Sequence, residues 1–178
     1  MQTLTGLVIG ALALTIAAAV APAPASAQGM SEKLMMEIKE KVSDPAAAAA
    51  IHKRRLAMRT MGGQTKVVAA YLKEGKGTPA DVAAAGKKIA SIAATIPDLF
   101  PAGTGLDKYP GATGAKPVVW EKAGDFKAAA MELGKHAEEL VKVASAADAG
   151  KAGIGAAFGA VGKMGCGGCH RTYKQDLK

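Results

Sequence analysis

Cys166-Gly167-Gly168-Cys169-His170, which ends eight residues before the C-terminus, is the most informative stretch of this sequence. On a helix, residues three and four positions apart share one face, so the two thiols and the imidazole would point the same way. C-x-x-C-H is the attachment signature of a c-type haem, in which two thiols bind the porphyrin and the histidine binds iron. We therefore predict one covalent haem c, attached to Cys166 and Cys169, with His170 as the proximal iron ligand.

Three other interpretations of the motif explain the sequence less well. A structural disulfide between the two cysteines would not require the adjacent histidine. A thioredoxin-like redox pair would follow a β-strand, and none is indicated before Cys166. A zinc site would need further cysteine or histidine ligands, but the chain has only two cysteines.

The composition indicates an all-α fold with few bulky side chains. Alanine and glycine are abundant, and aromatic residues make up only 4% of the 178 residues. Alanine favours helix, and a buried haem would supply apolar surface that the side chains lack. The net charge of +8 is moderate, and no basic patch is interleaved with aromatic residues, so we expect no nucleic-acid partner.

The N-terminus has the pattern of an export signal. A nearly unbroken apolar run extends from Leu4 to Val20 and is followed by Ala25-Ser26-Ala27, an A-x-A cleavage pattern. We predict that residues 1–27 are a cleaved secretory signal peptide, which implies a periplasmic protein without stable membrane association. No lysine or arginine precedes the run, so an uncleaved membrane anchor is the alternative.

The rest of the chain divides into a short N-terminal extension, residues 28–44, and a domain over residues 45–178. Helical periodicity and breaks at proline and glycine predict four helices in that domain, over residues 45–72, 79–99, 118–147 and 151–174. A long loop over residues 99–116 separates the second helix from the third. Four helices with short breaks and one long loop predict a four-helix bundle.

The first of these helices has an apolar seam that contains one charge. Its members alternate steps of three and four: Ile51, Arg54, Met58, Met61, Thr65, Val68 and Leu72. An inward-facing charge is costly unless it is paired. We therefore predict that Arg54 binds a haem propionate. The alternative is that its stem lies along the seam and its guanidinium reaches water.

Four motifs resemble the cytochrome c′ family of class II c-type cytochromes, over about residues 46–174. They are Cys166–His170 with Arg171 and Tyr173, Ala156–Gly162, Leu99-Phe100-Pro101 with Lys116–Trp120, and Arg54-x-x-x-Met58-x-x-Met61-Gly62. The sequence departs from the family where Lys163-Met164-Gly165 separates Val161-Gly162 from the first cysteine, which is one residue more than usual. Because of this extra residue, the sequence does not determine which helix face the residues just before the haem motif occupy.

The resemblance implies an antiparallel bundle with haem near one end, often as a homodimer. Members of the family either leave the sixth iron position open, where nitric oxide or carbon monoxide binds, or fill it with a methionine. Met58 stands at that position, and we predict that it is the distal ligand. The leading hypothesis is therefore electron transfer, and the alternative is a five-coordinate, high-spin cytochrome c′ that binds these gases.

Other residues are assigned less specific roles. His52 lies on a different helix face from Met58, and His136 lies off the third seam, so we expect both to face solvent. No constellation of carboxylates or nucleophiles indicates an enzyme. Lys163, Arg171, Lys174 and Lys178 could steer docking to an acidic redox partner, or could simply form a solvated face.

Overall fold

The computed structural model describes residues 25–177, which form helices joined by turns and one long loop. The α-helices are α1 (Ala25–Lys39), α2 (Pro45–Glu74), α3 (Pro79–Thr95), α4 (Val118–Glu121), α5 (Ala123–Ser145), α6 (Lys151–Ala160) and α7 (Gly167–Tyr173). A 3₁₀ turn, Ile96–Leu99, extends α3, and a π-helical segment, Val161–Cys166, joins α6 to α7. Apart from one isolated bridge between Ala115 and Lys174, the described residues form no β-structure.

The predicted all-α, antiparallel four-helix bundle is confirmed. Its four rods are α2, α3, α4 with α5, and α6 with α7, and the closest packing is between α3 and α5. A Cβ at Gly86 of α3 would lie 2.8 Å from the Val141 side chain and 3.2 Å from the Ala137 carbonyl oxygen of α5. Only glycine permits this approach of the two helices without a shift.

Local sequence determines where the first two bundle helices begin. The Asp44 carboxylate accepts a hydrogen bond from the Ala46 backbone N–H at 2.9 Å, and Pro45 occupies the first position of α2. At α3, Thr78 and Asp81 form a reciprocal capping box. Gly75 ends α2 with φ of 69°, a conformation that glycine adopts without strain.

The third rod differs from the prediction of one helix over residues 118–147. The chain leaves helical geometry at Lys122 (φ −120°, ψ 50°), which divides the rod into α4 and α5. The Trp120 indole N–H donates to the Phe100 carbonyl oxygen at 2.8 Å and ties α4 to the long loop. The predicted helix also extends two residues too far, because α5 ends at Ser145 and Ala147 is exposed beyond it.

The fourth rod contains the π-helical segment where the sequence has its extra residue. A π-helical turn accommodates one residue more than the corresponding α-turn, so the insertion changes local winding and leaves the rod continuous. The segment packs tightly at Gly165, where a Cβ would lie 2.6 Å from Leu133 Cδ1 of α5. The π-helical turn therefore takes up the extra residue, and the rod continues through it to the haem-attachment motif.

The N-terminal extension consists largely of one docked helix. Helix α1 has 15 residues and packs against α2 and the long loop. Their contact forms a second core, which consists of Leu34, Ile38, Val42, Ala47, Ala48, Ile51, Tyr109 and Ala112.

Most of the predicted signal peptide, residues 1–24, lies outside the described residues. Its cleavage after Ala27 stays a prediction, as do the domain boundaries at residues 28 and 45. None of the helices within residues 25–177 has the length and apolar character needed to cross a bilayer.

Candidate haem site

One cavity of about 290 Å³ lies between α2, the long loop and the C-terminal segment. Its lining residues come from α2 (Arg54, Arg55, Met58, Arg59), the loop (Phe100, Thr113, Gly114, Ala115), α5 (Phe126) and the chain from α7 onward (Cys169, His170, Tyr173, Lys174, Gln175, Leu177). The structure therefore brings the C-terminal motif next to the predicted distal residue Met58, although they are distant in sequence.

The two cysteines are free thiols, half-buried against the bundle core. Burial raises the pKa of both thiols, and the pKa of Cys169 reaches about 11 with a further contribution from the charge of Cys166. Both side chains are therefore protonated at neutral pH. This is the reduced dithiol form that attachment of a haem requires.

Burial lowers the pKa of the His170 imidazole, and the positive charge of Lys174 adds to this effect, while Asp176 opposes it. The imidazole is therefore neutral at physiological pH. A neutral ring nitrogen carries the lone pair that binds iron, so the electrostatics of this site suit a histidine ligand.

The residues present fit a haem c. The free thiol of Cys169 and the neutral imidazole of His170 line a cavity whose walls include Phe100, Phe126 and Ala115, and Cys166 supplies a second free thiol three residues before Cys169. Phe100 and Phe126 pack edge to face with centroids 4.8 Å apart, and Phe126 packs likewise on Tyr173 at 5.0 Å. Within residues 25–177, no group of three or more histidine, cysteine or acidic side chains is placed so that it could hold a metal ion.

Met58 lies on α2, lines the same cavity as His170, and is half-buried. Its side chain packs against the bundle core beside other partly buried apolar residues. Its role as an iron ligand stays a prediction, because the same position suits a side chain that packs over the cavity.

Arg54 is buried, with only 3% of its surface exposed, so the alternative in which it reaches water is wrong. Nη1 donates to Thr104 Oγ1 and Nη2 to Thr113 Oγ1, each at 2.7 Å, and Nη2 also donates to the Thr104 carbonyl oxygen. The guanidinium carbon lies 4.9 Å from the centroid of Phe100. Burial lowers the pKa of Arg54 to about 10, so it remains charged at neutral pH.

The hydrogen bonds of Arg54 bear on its predicted contact with a haem propionate. The groups that receive its hydrogen bonds are two hydroxyls and a carbonyl, none of which carries a charge. No carboxylate within residues 28–177 pairs with Arg54, so its guanidinium brings a positive charge to the cavity wall without a countercharge. That charge agrees with an anionic partner, and the propionate assignment stays a prediction.

Sequence reasoning missed two arginines at this site. Arg55 and Arg59 lie four residues apart on α2 and line the cavity beside Arg54. Their spacing indicates one helix face. No sequence pattern indicates that this face turns toward the cavity, because it lies off the apolar seam.

The other two histidines do not line the cavity. His52 Nε2 lies 2.9 Å from the Ser31 carbonyl oxygen of α1, so it joins two helices. The prediction that His136 faces solvent is wrong, because its side chain is only 17% exposed and its Nε2 lies 3.3 Å from Glu132 Oε1. Packing at the edge of α5 therefore covers most of this imidazole.

Part of the predicted basic cluster is exposed at the haem end. Lys163, Arg171 and Lys174 are exposed, and Lys174 pairs with Asp176. Lys178 lies outside the described residues.

A four-helix bundle that presents C-x-x-C-H on its last helix, next to an apolar cavity, defines a class of c-type haem protein. The family model described as Cytochrome C′ matches residues 49–174, and the chain belongs to the cytochrome c′ family. The family binds one covalent haem c, so the predicted cofactor is confirmed.

Relatives named cytochrome c′ and relatives named cytochrome c-556 are about equally similar to this chain in sequence. It is 36% identical over 123 residues to a cytochrome c′ of Pararhodospirillum photometricum, covering 68% of this chain and 93% of that protein. It is also 36% identical over 128 residues to a cytochrome c-556 of Agrobacterium tumefaciens (strain II Chrys), covering 71% and 98%.

Solved structures agree with the fold. Cytochrome c′ from Thermochromatium tepidum superposes with a TM-score of 0.62 at 31% identity, over 72% of this chain and 95% of that one. A second cytochrome c′, described as having an unusual ligand-controlled dimer dissociation, superposes with a TM-score of 0.61 at 30% identity, over the same shares.

Proposed function

We propose that this chain is a haem carrier whose iron is bound by His170 on one side and is open to nitric oxide or carbon monoxide on the other. The sequence alone favoured electron transfer through a His170–Met58 pair. Membership of the cytochrome c′ family supports the gas-binding alternative instead. Cys166 and Cys169 would hold the haem by thioether bonds.

The packing of Met58 is the observation that carries this proposal. Of the α2 residues that line the cavity, three are arginines, and Met58 alone has a side chain that could bind iron. That side chain already packs against the bundle core. Methionine commonly fills irregular gaps in cores, so Met58 would cover the open face of the haem without binding it.

The bound haem would supply the iron that takes the gas, and the protein would control access and charge. The neutral His170 imidazole would hold the iron from the side of α7. Met58, Phe100 and Phe126 would keep water from the opposite face. Arg54 would place a positive charge at the wall, next to the haem carboxylates.

Electron transfer is the second candidate, because Met58 and His170 line the same cavity. A thioether ligand raises the reduction potential of a haem. This function would require Met58 to leave its packed position and bind iron.

Carbon monoxide binding to the reduced protein separates the two candidates. If the sixth position is open, the ligand should bind rapidly and change the spectrum, and Met58→Leu should preserve both properties. Leucine has similar volume but no sulfur, so it is the matched variant. Slow or absent binding that becomes rapid in Met58→Leu would refute the open site and establish methionine ligation.

We further propose that the chain acts in the periplasm after export and forms a homodimer. The proposal of a dimer draws on the solved cytochrome c′ described by its ligand-controlled dimer dissociation. Sedimentation with and without carbon monoxide tests it, and a monomer under both conditions would refute it.

Arg171 and Lys174, exposed near the haem end, would steer an acidic redox partner, which predicts salt-dependent association.

A further inference from the structure

Helix α1 lies outside residues 49–174, the region that matches the family, yet it is firmly docked beside the haem cavity. Leu34 and Ile38 are completely buried in the second core. The Lys41 ammonium donates to the Gly111 carbonyl oxygen at 3.3 Å, which joins the end of this extension to the loop. A segment anchored in this way holds its polar side chains at fixed places near the cavity.

Among the α1 side chains that the structure describes, Glu37 reaches residues of the cavity wall. Its Oε2 lies 3.7 Å from Nη2 of Arg55 and 4.0 Å from Nη2 of Arg59. Arg55 also donates to the Ala112 carbonyl oxygen at 3.3 Å, so its guanidinium is fixed between α1 and the loop. One carboxylate from outside the family region thus contacts two cations that line the cavity.

The contact between Glu37 and the two arginines matters because the charged side chains that line the cavity are all positive. The lining residues include four cations, Arg54, Arg55, Arg59 and Lys174, and no carboxylate. Among the described residues, only Glu37 and Asp176 form ion pairs with these cations. Burial and the charge of Arg59 lower the pKa of Arg55, while Glu37 raises it, so the carboxylate offsets repulsion between the two arginines.

We propose that Glu37 is a positioning residue for the haem: from α1 it fixes Arg55 and Arg59 at the cavity wall and offsets part of their charge. Positive charge near a haem stabilises the ferrous state relative to the ferric state, which carries one more positive charge. Glu37 therefore lowers the reduction potential. The effect does not depend on whether the sixth iron position is open or filled by Met58.

The test is the reduction potential of the full-length holoprotein at low ionic strength. Glu37→Gln should raise the potential, and Glu37→Asp, which keeps the charge, should restore most of the wild-type value. The shift should shrink in high salt, because salt screens partly exposed charges. Thermal stability should change little, because exposed ion pairs contribute little to the free energy of unfolding and because Leu34 and Ile38 still anchor α1.

Glu40→Gln is the matched control, because Glu40 is exposed just beyond α1 and forms no ion pair among the described residues. It removes the same charge and should shift the potential much less than Glu37→Gln. In an Arg55→Gln/Arg59→Gln background, the shift from Glu37→Gln should become smaller, because it then reflects only the lost carboxylate charge and no longer the placement of the two arginines. Equal shifts for Glu37→Gln and Glu40→Gln, or a shift unchanged without the two arginines, would overturn the proposal.

Discussion

Replacing Arg54 with lysine tests whether the buried guanidinium organises the loop wall of the haem site. The two Nη atoms of Arg54 bind Thr104 and Thr113, which lie on separate parts of the loop. Lysine keeps the positive charge but carries a single nitrogen in place of the planar fork. Arg54→Lys therefore removes the geometry of the network and leaves the charge.

The structure gives the size of the expected effect. Arg54 makes three hydrogen bonds, and one ammonium placed at either threonine would keep about one of them. A hydrogen bond to a charged group contributes about 1.5–3 kcal/mol, so losing two should destabilise the fold by about 3–6 kcal/mol. That is a large fraction of the roughly 5–15 kcal/mol by which folded domains are stable.

The assay is urea unfolding of the holoprotein followed by circular dichroism. Arg55→Lys is the control, because Arg55 adjoins Arg54 but makes one 3.3 Å hydrogen bond and a 3.7 Å ion pair with its side chain 21% exposed. We expect Arg55→Lys to change stability by about 0–1 kcal/mol. If Arg54→Lys cost no more than Arg55→Lys, the network would not hold the loop, and the reasoning would be wrong.

Two further predictions concern other elements. Deleting Met164, which is exposed in the π-helical segment, should give a continuous α-helix with unchanged thermal stability and attached haem. Deleting the exposed Lys88 from α3 should instead destabilise the fold, because α3 has no π-turn to absorb the change of phase. Hydrogen bonds from Thr78 lower the pKa of Asp81 below its ordinary 3.8, so Asp81→Asn should reduce stability at neutral pH. Because the folded-state pKa is the lower one, this contribution is complete above the unfolded-state value and is lost as pH falls through the folded-state value.

Thermal melts of the purified holoproteins check these predictions. Equal losses of stability from the Met164 and Lys88 deletions would contradict the role given to the π-turn. The melting difference between wild type and Asp81→Asn should disappear in acid. A difference that stayed constant down to low pH would show that the cap does not depend on the carboxylate charge.

Local sequence signals predicted the bundle well because each has a local physical cause. Pro45 and Pro79 mark helix starts, and the buried seam residues Ile51, Met61 and Val68 repeat with helical spacing. The break at Lys122 could not be predicted in this way, because it accompanies a tertiary hydrogen bond between Trp120 and Phe100.

The site was predictable only where its residues belong to one motif or one seam. The C-terminal cysteines, His170 and Met58 follow from spacing and resemblance, and the structure places Cys169, His170 and Met58 at one cavity. The partners of Arg54 lie 50 and 59 residues away in the long loop, so no local pattern could reveal them. The same holds for Glu37, since the docking of α1 depends on contacts between distant segments.

The spin state of the resting ferric holoprotein tests most directly whether the sixth iron position is open. If His170 is the only axial ligand and Met58 only packs against the core, electron paramagnetic resonance at neutral pH should give a predominantly high-spin signal. Sulfur ligation by Met58 would instead give a low-spin signal, with a weak sulfur-to-iron band in the near infrared. A purely low-spin wild-type spectrum would contradict the open site and make electron transfer the better assignment.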